Sequence, residues 1–179
     1  NYLNKLNHFY SYEFANVGRG IYQLASNASE KYEETRSELK KFINCKDDGE
    51  IVFTKNSTES LNLIAQCFGE KYINEGDEII STELEHHSNY VPWHFLRKKK
   101  KAVIKFISVD DSGNLLIDKL TELITIKTKI ISVTHMSNVT GTIVNIKKIK
   151  EIADKYNIPV CVDGTQGAAH LKTDMDCLL

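Results

Sequence analysis

The sequence lacks an excess of charge of either sign: 23 Lys and Arg stand against 24 Asp and Glu, a formal net charge of −1. Neither a polyanion-binding surface nor a long-range steering field follows from such a balance, so nucleic acid is not an expected partner. Long apolar runs are missing too. None approaches the ~18 residues that a membrane-spanning helix needs, and the opening segment NYLNKLNHFY lacks the charged, apolar and small-residue regions of a signal peptide. The four cysteines, Cys45, Cys67, Cys161 and Cys177, show no CxxC spacing and no company of histidines at ligand distance, which argues against a structural metal and fits a reducing compartment. Arginine is scarce, three of the 23 basic residues, and with the abundance of Asn, Lys and Ile this reads as the codon bias of an AT-rich genome. There is no GxxxxGK[ST] and no GxGxxG, so neither a Walker loop nor a dinucleotide fingerprint is present.

What is present is enough apolar sequence, 41% of 179 residues, for one domain with a real core. The chain starts at Asn1 rather than Met and is expected to be a piece of something longer. A short β-branched run, a turn and a helix-length mixture recur along it. Strands are predicted at Ile51–Thr54, Glu78–Ser81, Ala102–Ser108, Lys129–Thr134 and Pro159–Asp163. Helices are predicted at about Ala28–Ile43, Thr58–Phe68, Asn89–Arg97, Ile117–Ile124 and Ile146–Tyr156, the first opened by Asn27 and Glu30 as a capping box. Alternation of this kind predicts an α/β fold, a mainly parallel sheet with helices on both faces, and ligands at the carboxyl ends of its strands.

Each strand end is therefore a possible site. Lys55 to Ser60 places small hydroxyl residues, Ser57 and Thr58, at a helix start, where free N–H groups and the helix dipole suit a phosphate; taken alone, the segment fits an ordinary Ser/Thr cap with Glu in the first turn better. After the next strand come His86 and His87, with Ser88 as a cap and Pro92 in the first turn; either a satisfied structural histidine or one imidazole facing a site fits. Asn138, in the turn after Thr134, could orient a carboxylate or serve only the turn. Asp163 emerges from a predicted buried strand into a Gly-Thr-Gln-Gly turn, and an acid there is costly unless paired.

Together, five segments resemble the class V aminotransferase family of pyridoxal-phosphate (PLP) enzymes, most closely its SufS-type (group II) cysteine desulfurases. They are Asn16-Val17-Gly18-Arg19-Gly20-Ile21, Asn56 to Asn62, Glu85 to Trp93, Thr134 to Gly141, and Val162 to Gln166, in family order and spacing over essentially the whole chain. The group I branch would lack the His-His and Val-Pro-Trp pattern.

The resemblance implies a partial PLP-binding large domain of the fold type I transferases over residues 1–179, with the Schiff-base lysine segment and the small domain outside the chain. It implies Ser57 and Thr58 as the phosphate cup, His86 as the imidazole stacked on the cofactor ring and moving protons, and Asp163 as the partner of the pyridine nitrogen. Gln166 would hydrogen-bond the ring's phenolic oxygen, and Asn138 would hold the substrate carboxylate. The implied reaction takes L-cysteine to L-alanine and an enzyme persulfide that supplies a sulfur-acceptor protein of iron–sulfur cluster assembly, in a homodimer. Selenocysteine lyase and cysteine sulfinate desulfinase share every motif present, and an inactive dimerisation or binding module is an alternative of another class, which the presence of the downstream lysine would separate from an enzyme. Tyr22 stands where most family members have His and receives no role. The nucleophilic cysteine is expected further on, so none of the four cysteines takes that part. A bacterial cytoplasm and a plastid-like organelle are both compatible.

Overall fold

The computed structural model describes residues 1–175. They form two compact units, Asn1–Val52 with Asp174 and Met175, and Phe53–Thr173.

In the first unit, α1 (Tyr2–His8) is capped by Asn1, whose side chain accepts the Leu3 N–H at 3.1 Å, and continues into a π-helical turn at Phe9–Glu13. The long helix α2 spans Gln23–Ile43, five residues earlier than predicted. Asn27 lies inside it and accepts from the Gln23 amide at 2.7 Å, so the expected capping box does not exist. Ala25 and Ala28 are buried, and this small-residue face carries the helix back to Tyr22. The predicted strand Ile51–Thr54 forms no ladder among the described residues. A β-branched run shows where a strand can form, but a ladder also needs a neighbour.

The second unit opens with α3 (Ser57–Tyr72), followed by β1 (Glu78–Thr82), α4 (His87–Lys100), β2 (Val103–Ile107), α5 (Leu120–Leu123), β3 (Thr128–Thr134), α6 (Ile146–Asp154), β4 (Val160–Asp163) and α7 (Gly167–His170). The four strands are all parallel, in the order β2-β1-β3-β4. Adjacent residues on a strand point to opposite faces, and both faces are apolar. Ile79, Ile130 and Cys161 pack with Leu61 and Ala65 of α3 and Trp93 and Leu96 of α4. Ile80, Ile131 and Val133 pack with Leu120 of α5 and Ile146, Ile149 and Ala153 of α6. Helices therefore cover both faces, as the sequence pattern requires.

Two helices differ in detail from expectation. Ile117–Lys119 is a 3-10 turn that leads into the single α-turn of α5, rather than one continuous helix. Pro92 is the sixth residue of α4, not part of its first turn, and so removes one helical N–H bond there. Helices α3 and α4 touch closely at Gly69, where an added Cβ would fall 2.4 Å from Cδ2 of Leu96.

At the amino end of the sheet, Glu78 is buried beside Lys105, whose Nζ lies 2.8 Å away, and accepts from the hydroxyls of Thr125 (2.7 Å) and Thr128 (3.0 Å). Burial pushes its carboxyl up, but these donors outweigh burial and hold it below its ordinary value of 4.5. The native state thus binds this proton less readily than the unfolded chain. The stabilisation is complete above about pH 4.5 and is lost as pH falls through the lower native value. Glu78→Gln should therefore lower the urea midpoint of the full-length protein at pH 7, with a gap from wild type that narrows on acidification. An unchanged gap at pH 3 would mean that charge plays no part.

Candidate active site

The carboxyl ends of β3 and β4, with the turns that follow them, and the amino ends of α3 and α4 border one open cleft of about 260 Å³. In an open parallel sheet this is where a ligand sits, because diverging loops leave a crevice there. Ser57, Thr58, His86, Asn138, Asp163 and Gln166 all line it. Six residues spread over 110 positions of sequence thus meet at a single place.

The amino end of α3 is capped by Asn56, not by a serine or threonine: its side chain accepts the Glu59 N–H at 3.0 Å, while Glu59 Oε2 accepts the Lys55 N–H at 2.6 Å. Ser57 and Thr58 are consequently the first helical residues, and their hydroxyls have no hydrogen-bond partner among the described residues. The simple capping account of these two residues is thereby removed. Two free hydroxyls, unpaired first-turn N–H groups and the positive end of a 16-residue helix make a cup for a dianion.

His86 is the N-cap of α4, two residues earlier than the expected Ser88. Its Nδ1 accepts the Ser88 N–H at 3.2 Å and therefore presents a lone pair, so the Ser88 hydroxyl at 2.5 Å donates to it as well. The neutral ring then carries its proton on Nε2. His87 does not line the cleft.

Asp163 ends β4 and is 6% exposed. Its Oδ1 accepts from the Thr165 N–H at 3.0 Å and the Thr165 hydroxyl at 2.5 Å. Oδ2 has no partner and the carboxylate no cation among the described residues. A nearly buried carboxylate with a free oxygen on a cleft calls for a cationic donor from a ligand. Gln166 opens α7 with its amide uncommitted to the helix, and the exposed Asn138 sits in a turn held by Ser137 Oγ, which accepts the Val139 and Thr140 N–H groups at 3.3 Å each. The turn after Asp163 is tight: an added Cβ on Gly167 would fall 2.4 Å from Nδ1 of His135.

Sequence reading missed Ser88, Thr134, Met136 and Thr165, which also line the cleft, and Glu85 just beneath it. Thr165 was within reach, as the residue two beyond an emerging acid is placed to donate to it. Cys161 is buried, and burial pushes its thiol up to about 11, so it is inert as a nucleophile. Cys45 and Cys67 do not line the cleft, and Cys177 lies outside the described residues. No three metal-ligating side chains gather among the described residues, and no described helix is long and apolar enough to cross a membrane.

The family model for class-V aminotransferases matches residues 1–178. The cysteine desulfurase of Wigglesworthia glossinidia brevipalpis is 45% identical over 171 residues, 93% of this chain and 42% of that protein. A probable cysteine desulfurase of Staphylococcus aureus (strain Mu50 / ATCC 700699) is 45% identical over 173 residues, 97% of this chain and 42% of its own length. Among solved structures, the apo cysteine desulfurase from Thermococcus onnurineus NA1 superposes with a TM-score of 0.92 at 37% identity, covering 98% of this chain and 43% of that one. The cysteine desulfurase CsdA of Escherichia coli gives 0.88 at 34% identity, over 98% and 44%. The chain spans less than half the length of these relatives.

Proposed function

The chain belongs to the class-V aminotransferase family, and on that premise we propose that it is the cofactor-binding large-domain portion of a PLP-dependent cysteine desulfurase of the SufS type. The full-length protein would convert L-cysteine to L-alanine and hand the sulfur, as a persulfide, to an acceptor protein of iron–sulfur cluster assembly. The Schiff-base lysine, the nucleophilic cysteine and the small domain would come from the rest of that protein, which works as a homodimer in a reducing compartment. The observation that carries the reading is Asp163: a nearly buried carboxylate with a free oxygen, in the same cleft as the unpartnered hydroxyls of Ser57 and Thr58. A protonated pyridine and a phosphate on one molecule satisfy both.

The donor set fits PLP. Ser57 and Thr58 would hold its phosphate, Asp163 Oδ2 would take the pyridine N–H in a charge-assisted bond, and Gln166 would donate to the phenolic oxygen. When bound, PLP supplies an electron sink for the pair left behind as a substrate Cα–H bond breaks. Thr165 fixes the Asp163 carboxylate by occupying Oδ1, so only Oδ2 is offered to the cleft. His86, locked through Nδ1, would offer its ring face for stacking on the cofactor and keep Nε2 free to hold or move a proton. Asn138 would orient the substrate carboxylate.

Full-length protein reconstituted with PLP should form alanine and sulfide from L-cysteine in the presence of a thiol reductant. No alanine would sink the desulfurase reading, and a strong preference for selenocysteine would move it to the lyase. Thr58→Ala removes one hydroxyl bond to a charged group, ~1.5–3 kcal/mol, so the Kd for PLP should rise by about one to two orders of magnitude. Equal PLP affinity in the variant would return Thr58 to a helical role only.

A further inference from the structure

We propose that Glu85 is a positioning residue: its carboxylate ties the first turn of α4 to the end of β3, and so keeps His86 and Asp163 in register across the cleft. The inference rests on the cofactor reading above. It starts from a side chain that looks like surface charge in sequence but turns inward. Oε1 accepts the Thr82 hydroxyl at 2.6 Å and the Thr134 N–H at 2.8 Å, and Oε2 accepts the Asn89 amide at 2.6 Å. Three separate pieces of backbone converge on one carboxylate: the end of β1, the first turn of α4 and the last residue of β3.

Two of these pieces carry site residues. His86 follows Glu85 directly and caps the helix that Asn89 belongs to. Thr134 pairs with Asp163 in the ladder between β3 and β4, and the His135 N–H donates to the Asp163 carbonyl at 2.9 Å. Moving the Glu85 carboxylate therefore shifts both walls of the cleft.

Behind Asn89 the bonds all run one way. Trp93 Nε1 donates to Ser132 Oγ at 2.9 Å, Ser132 Oγ donates to Asn89 Oδ1 at 2.8 Å, and Asn89 Nδ2 donates to Glu85. Asn89 and Ser132 are completely buried. Burial lifts the Glu85 carboxyl above its ordinary value, Asp163 adds to the lift, and the three donors oppose it. A group held against such a cost in a buried network specifies geometry, because leaving any member of the network unpaired is costly.

Two variants of the full-length protein separate reach from charge. Glu85→Gln keeps the reach: its carbonyl oxygen can take the Thr82 and Thr134 donors, and the Asn89 amide can turn over to meet its NH2 group provided the Ser132 hydroxyl, which has two lone pairs, swings round to accept from Asn89 as well as from Trp93. Glu85→Asp keeps the charge but is one methylene too short to span Thr134 and Asn89 together. The Kd for pyridoxal 5′-phosphate should stay within about 3-fold of wild type for Gln and rise at least ~10-fold for Asp. Visible circular dichroism per bound cofactor should move only for Asp, which a loss of stability alone would not produce. An Asp variant that matches wild type, or a Gln variant worse than Asp, overturns the proposal. Hydrogen exchange of wild-type protein adds a measurement that needs no variant to fold: the Thr134 amide should exchange as slowly as its neighbours in β3, and free exchange overturns the proposal. Failure of wild type to bind pyridoxal 5′-phosphate refutes the cofactor reading instead, and leaves the Thr134 result standing.

Discussion

On the proposed desulfurase reading, Asp163→Asn in the full-length protein is expected to lower alanine formation from L-cysteine at least ~10²-fold while the sheet stays folded, the scale of removing one preorganised electrostatic group. The amide keeps the size of the carboxylate, and its oxygen can still accept both Thr165 donors. What faces the cleft is then an NH2 group, which cannot accept a pyridine N–H and carries no charge to hold a proton on that nitrogen. Stability should change little, because the Thr165 bonds survive. Normal turnover would show that Asp163 is not the pyridinium partner, and unfolding would show that its role is to hold the turn.

Trp93→Ala should destabilise the sheet unit by ~3–5 kcal/mol, the usual cost of truncating a large buried aromatic. Trp93 is 1% exposed in the layer between α4 and the sheet, among Ile79, Ile130 and Cys161. Truncation leaves a cavity and also strips the Ser132 hydroxyl of the indole donor. Trp93→Phe retains most of the packing and should cost clearly less. Hydrogen exchange at the Ile80 and Ile131 amides of the full-length protein reads both effects, and equal losses in the two variants would mean that packing contributes little.

The four ladder strands were legible because each is a β-branched run with turn chemistry at its ends, and a strand buried on both faces needs no finer pattern. Where local signals competed with distant partners, they misled. Asn27 and Glu30 have the spacing of a capping box, yet burial of Ala25 and Ala28 extends α2 past them. At α3 the serine and threonine drew the cap assignment, but Asn56 takes it and frees both hydroxyls for the cleft. Glu85 was invisible for a different reason: its backbone partner Thr134 lies 49 residues away, and no window of sequence places the two together. Asp163 was readable because a carboxylate at the end of a buried strand is anomalous wherever the chain goes next. The residues expected at the site do line one cleft; their roles toward a ligand remain those that the experiments above test.

Gly69 has a consequence for the spacing of the cleft's two ends. Because it lets α3 rest directly on Leu96 of α4, the two helices are braced ~18 Å from the Ser57 end, about 12 residues at 1.5 Å each. Ser57 and Thr58 open one of these helices and His86 caps the other, so a side chain at position 69 that pushed the helices apart would also act on the spacing of hydroxyls and imidazole. The spacing of the two anchoring ends of the cleft is thus tied to a glycine a dozen residues away from either hydroxyl.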